Sequence, residues 1–138
     1  MKLIAASAHI QGVIGSKYIE LTNDADPLSP SLQGVQRIDL HFPKFTDGRA
    51  FSQAFLLRRR REFKGEIRAT GDVLVDQLAQ MERSGFDVAV LRADQDMAVA
   101  QRVLAQYPGY DVGAYQGDAV HIKPHFITAT EVSDAAVA

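Results

Sequence analysis

Residues 36–49 read "QRIDLHFPKFTDGR", and the change of character inside this stretch decides the fold. Ile38, Leu40 and Phe42 alternate with Asp39 and His41, the period-two signature of a strand. Pro43 closes the run because it has no N–H to give to a ladder. Lys44, Asp47, Gly48 and Arg49 follow at once. From there "DGRAFSQAFLLRRRREF" places Phe51, Ala54, Phe55 and Leu57 on one broad apolar face, with Asp47 as the expected side-chain N-cap. Gly65 is expected to stop the helix, and "EIRAT" opens a new strand. A strand, a polar turn, a helix and another strand form the unit from which parallel sheets are wound.

The unit recurs downstream. "GDVLVDQLAQMERSGF" carries Val73, Leu74, Leu78 and Met81 at helical spacing, with Gly85 at its C-terminal end. "DVAVLRA" reads as a third strand and "DMAVAQRVLAQYPG" as a third helix ended by Pro108-Gly109; "AVHIKP" marks a further strand candidate. Upstream, "KLIAA" and "KYIEL" are short extended segments separated by the turn formers Gly12, Gly15 and Ser16. "TNDADPLSPSLQG", with its two prolines, is a loop. Asp24, Asp47, Asp72 and Asp94 are spaced by 23, 25 and 22 residues, one short strand–helix unit each time. The expected fold is α/β: a small parallel or mixed sheet of consecutive βα units with right-handed crossovers, resembling part of a β/α barrel, with an extended N-terminal segment. A complete barrel needs ~250 residues, against the 138 present. The expected organisation is one domain over residues 1–126 and a flexible tail over 127–138, the last residues, "TATEVSDAAVA", lacking large apolar groups.

Composition narrows the chemistry. A chain that is 46% hydrophobic and 23% charged is an ordinary globule. Its net charge of -2 offers no electrostatic case for a nucleic-acid partner. Cysteine is absent, which removes disulfides, thiolate metal sites and cysteine nucleophiles. The opening "MKLIAASAHIQG" has too short an apolar run for a secretory signal, and no stretch approaches a membrane span; the cytoplasm is the expected location. His121 and His125 flank Pro124, which breaks the helix that would align them on a metal.

The run "FPKFTDGRAFSQAFLLRRRREFKGEIRATGDVLVDQL", followed by "RSGFD", resembles the core of a bacterial domain-of-unknown-function family over residues 35–95, with a looser echo in "LTNDADP". The pattern implied here comprises Phe42, Pro43, Phe45, Asp47, Gly48 and Arg49, then Leu56, Leu57 and Arg58. Gly65, Glu66, Arg68, Gly71, Asp72, Val73, Asp76, Gln77 and Leu78 continue it, and Gly85, Phe86 and Asp87 close it. Genes of that family commonly lie beside those for assimilatory sulfite reductase, and its members are described as oxidoreductases of sulfite reduction. The resemblance therefore implies an accessory or oxidoreductase-type role in sulfite reduction, with sulfite reductase as partner. Relatives often carry cysteine where this chain has Ser84, so no thiol chemistry is expected at that position. No cofactor is indicated.

Ligands of parallel α/β sheets collect at the carboxyl ends of the strands. Lys44, Asp47, Arg49 and Arg92 fall just beyond such ends and are the expected binding residues, forming an anion-favouring rim together with helix N-termini. His41, Arg68 and Asp72 are the candidate catalytic residues: an imidazole is the side chain type suited to acid–base chemistry, and the strand face of His41 is polar where a doubly covered sheet would be apolar. Each has a plainer reading. Asp47 and Asp72 are ordinary helix caps, and Asp39, His41, Glu66 and Arg68 suit a structural salt-bridge cluster. Gln77 suits a buried hydrogen bond, and the run Arg58–Arg61 a solvated helix end favoured by the dipole. Alternatives to the sulfite role are a non-catalytic module that self-associates or docks on sulfite reductase, a homo-oligomer being expected, and a phosphate-binding enzyme.

Overall fold

A computed structural model describes residues 1–9 and 17–106 of the chain. Five strands are present among them: β1 (Lys2–Ala5), β2 (Lys17–Leu21), β3 (Val35–Phe42), β4 (Glu66–Gly71) and β5 (Val88–Leu91). The helices are α1 (Arg49–Arg59), α2 (Leu78–Ser84) and α3 (Met97–Ala105). The sheet order is β1-β5-β4-β3-β2, and every adjacent pair is parallel. The strand candidate "AVHIKP", the Pro108-Gly109 stop, the 127–138 tail, and His121 and His125 lie outside the described residues.

β2 to β5 lie side by side in chain order, and β1 pairs with β5 at the opposite end from β2; the expected likeness to part of a β/α barrel is not confirmed by this order. From β3 to β5 each crossover steps in the same direction, and right-handed connection puts the helices on one face. That face holds the core: Ile38, Leu40, Phe42, Ile67, Ala69, Ala89 and Leu91 of the strands meet Ala54, Leu57, Leu78, Met81, Ala100 and Leu104 of the helices. Phe42 anchors it, with ring centroids 5.1 Å from Phe51 and 5.7 Å from Phe86. His9, just beyond β1, lies on the other face against Arg68 and Asp39.

Helix boundaries depart from the sequence pattern for local reasons. α1 has Gly48, not Asp47, at its N-cap and no side-chain cap; Asp47 sits one residue earlier and accepts the Arg49 N–H at 3.0 Å. Its stop is not Gly65. Glu62 turns left-handed (φ 52°), and the Phe63 N–H closes back on the Leu57 carbonyl at 2.9 Å. Gly65 is needed instead for space, since a Cβ there would stand 2.6 Å from the Gln36 carbonyl oxygen. α2 starts only at Leu78, after a 3-10 turn at Val75–Gln77, so Asp72 does not cap it. Residues 72–75 tie the strand ends together instead: Asp72 N–H bonds the Phe42 carbonyl, the Val73 carbonyl accepts Arg92 N–H, and Val75 N–H bonds the Gln95 side chain. α3 follows expectation, with Asp96 accepting the N–H groups of Ala98 and Val99.

The arginine run is a second correction. Arg58 is buried, and its guanidinium donates to the carbonyls of Gly85, Phe63 and Gly65 and to the Asp87 carboxylate. Arg61 holds the carbonyls of Pro27 and Pro30. Two of the four thus staple the proline loop and the α2–β5 turn to the end of α1, while Arg59 and Arg60 stay exposed.

Candidate functional site

The sheet face opposite the described helices is polar at its centre. Strand register sets Arg37 beside Glu66, Asp39 beside Arg68 and His41 beside Thr70, with Tyr18 and Glu20 of β2 flanking Arg37 and Asp39. Arg37 grips Asp39 through two bonds of 2.8 Å, both side chains being buried, and its guanidinium lies 4.9 Å over the Tyr18 ring. Charge-assisted pairing of this kind is what makes two buried charges tolerable. Arg68 donates to Glu66 at 2.7 Å and, through Nη1, approaches Nδ1 of His9 at 3.0 Å.

Beyond these pairs, at the carboxyl ends of β2, β3 and β4, opens a cavity of about 520 Å³. Glu20, Leu21 and Thr22 line it from β2, Asp39 and His41 from β3, Thr70 and Gly71 from β4, and His9 from the β1 connection. The volume is that of a small-molecule pocket. Burial lowers the His9 pKa, partly opposed by Asp39, so the ring is neutral at neutral pH. His41 is exposed, its Nδ1 lying 3.4 Å from the Thr70 hydroxyl. Gly71 makes this possible: with φ at 89°, a Cβ there would lie 2.4 Å from the Phe42 carbonyl oxygen and 2.6 Å from the His41 ring.

Of the residues singled out in the sequence, His41 lines this cavity. Arg68 lies on the same face and reaches the cavity only through His9. Lys44, Asp47, Arg49, Asp72 and Arg92 share the same pole of the sheet, as parallel strands require, but belong to the loops beside it. There the charges are engaged with one another. Arg49 pairs with Asp47 at 2.8 Å, and Asp47 also accepts from Asn23. Arg92 bridges Asp72 and Asp94, each at 2.6 Å, while Lys44 is exposed. The Arg92 hydrogen bond, aided by the Phe45 N–H, holds the Asp72 carboxyl below the usual carboxylate range, and Arg92 brings Asp94 down to about 2. Gln77 completes the clasp by donating to the Phe45 carbonyl, in an exposed hydrogen bond rather than the buried one expected of it.

Residues 18–126 match the model of a family described as "Bacterial protein of unknown function (DUF934)". The chain belongs to this family. No curated protein and no solved structure matches it. Most residues of the family-like run do structural work in this DUF934 chain: Phe42 and Phe86 form the core, Arg58, Gly65, Gly85 and Asp87 form the staple, and Phe45, Asp72 and Gln77 form the clasp. Sequence reasoning missed His9. It lies far along the chain from Arg68 and in no periodic element, so only the polar alternation of β3 and β4 signalled that something must cover their face.

Among the described residues no group of three or more His, Asp or Glu is disposed to hold a metal ion, and no helix is long and apolar enough to cross a membrane.

Proposed function

We propose that this protein is an accessory component of assimilatory sulfite reduction, working in the cytoplasm, that binds a small ligand in the cavity at the carboxyl ends of β2, β3 and β4. His41 is its acid–base group. The observation that carries the reading is the cavity itself, with two imidazoles on its wall at the pole where parallel sheets take their ligands. The sulfite link is drawn from the family-like run of residues 35–95. Lacking cysteine, the chain has no thiol of its own to pass electrons, so a redox role would fall to a partner or a bound cofactor. Lys44, Arg49 and Arg92 keep an anion-facing role in this reading only where a ligand displaces their carboxylate partners.

Deleting the gene in its bacterium is expected to impose a requirement for reduced sulfur that wild-type protein relieves and His41→Ala does not. Co-purification with sulfite reductase tests the partnership. Growth on sulfite without the gene would overturn the reading.

A docking role is the second reading, favoured by Phe45 and Phe55, which are 49% and 45% exposed, and by the shallow groove that Phe51, Phe55 and Leu56 line on α1. Retained co-purification together with full complementation by His41→Ala would select it.

A further inference from the structure

We infer that the cavity takes a neutral, hydroxyl-bearing ligand of sugar or nucleoside size, and that Arg68 is a positioning residue presenting His9 to that ligand as a fixed hydrogen-bond donor. This rests on the cavity being the ligand site and adds the chemical class of what enters it.

The tautomer comes first. A guanidinium has only donors, so with Arg68 Nη1 3.0 Å away, Nδ1 of His9 is an acceptor and carries no proton. In a neutral ring the hydrogen is then on Nε2. That atom stands 4.0 Å from Oδ2 of Asp39, beyond hydrogen-bond range, on a side chain that lines the cavity. One ligand oxygen at bonding distance from both must accept from the imidazole and donate to the carboxylate. A hydroxyl does both. An unprotonated oxyanion can only accept, and an ammonium can only donate.

The rest of the wall agrees. Glu20, His41, Thr22 and Thr70 are partners for further hydroxyls, and no Lys or Arg is among the described lining residues. An oxyanion would meet the carboxylate of Glu20 and that of Asp39, whose charge Arg37 already balances, with no described Lys or Arg on the lining to bond it.

Side-chain NMR of the histidines in the full chain tests this directly. In wild type, His9 is expected as the Nε2–H tautomer; in Arg68→Ala the tautomers mix, and Arg68→Lys recovers part of the selection. Titration with ribose and with adenosine is expected to shift His9 and His41 together and saturably, with Arg68→Ala weakening binding by roughly tenfold, the worth of one hydrogen bond. Sulfite and phosphate are expected to leave both rings unmoved. An Nδ1–H tautomer in wild type, a response to the oxyanions in place of the hydroxylated probes, or no response to either probe would overturn the inference, and the first and last need no variant to fold. Failure of His41→Ala to affect growth would strike the functional reading and leave the tautomer and titration results standing.

Discussion

The carbonyl oxygen of Gly85 lies 3.0 Å from Nε of Arg58, and a Cβ on that glycine would stand 2.6 Å from Cγ of the same arginine. The end of α2 and the end of α1 are therefore in contact through a backbone that tolerates no side chain. Gly85 is also left-handed, at φ 116°, so it both ends α2 and admits the arginine.

Arg58→Ala is expected to destabilise the fold by about 3–5 kcal/mol, because it leaves Asp87 and three carbonyls without their donor in a largely buried site. Arg58→Lys is expected to recover only part of that, since an ammonium cannot reach four acceptors with fork geometry. Urea denaturation of the two variants checks both. A loss below about 1 kcal/mol for the alanine variant, the size of a surface pair, would contradict the staple.

Gly71→Ala should cost about 1–3 kcal/mol of stability through its left-handed backbone alone, and displace the His41 ring that now occupies the Cβ position. Thermal melting measures the first effect. The second appears as a changed His41 ring resonance, with the His9 resonance largely preserved.

His9 supplies a pH dependence with a definite sign. Burial lowers its pKa in the fold, against a smaller opposing pull from Asp39 and with Arg68 and Arg37 acting in the same direction as burial. The unfolded chain thus binds more protons than the folded one below about pH 6.5, and stability falls as pH drops from there to the folded pKa, then levels off. Wild type should lose stability over that window by an amount absent from His9→Asn, measured by urea unfolding at stepped pH. Glu20 is the other charge facing the ring, and it raises the pKa slightly.

The loop clasp contributes to the acid limb. Asp72 and Asp94 titrate below their ordinary values because Arg92 bonds both. Their contribution is present above the unfolded carboxyl pKa, near 3.9, and is lost as pH falls through the folded values, about 2 for Asp94. Carboxyl NMR titration should give Asp94 a midpoint near that figure, and Arg92→Ala should return it towards the unperturbed value. Hydrogen exchange of the Phe45 amide, which bonds Asp72, should quicken in Asp72→Asn.

Much of this was legible along the chain. The alternation of Ile38, Leu40 and Phe42 named both a strand and the face it buries, and Asp96 before an apolar helical run marked a true cap. Local signals failed where a residue's partner is distant. Asp47 and Asp72 carry the chemistry of caps, yet Arg49, Asn23, Phe45 and Arg92 take up their oxygens. The arginines after Leu57 resemble a solvated end because sequence does not show that three carbonyls wait beside Arg58.

What the sequence by itself determined is the α/β class, a parallel or mixed sheet of consecutive βα units and one pole holding the turns after the strands, because periodicity and crossover handedness are properties of consecutive residues. Only the tertiary structure decided which charges are consumed by ion pairs and which groups face an opening. It also brought His9, 59 positions away, onto Arg68. Those outcomes depend on strand order and register, which set β1 beside β5 and His9 over the polar face. No pattern confined to neighbours in the chain encodes a contact made across the width of a sheet.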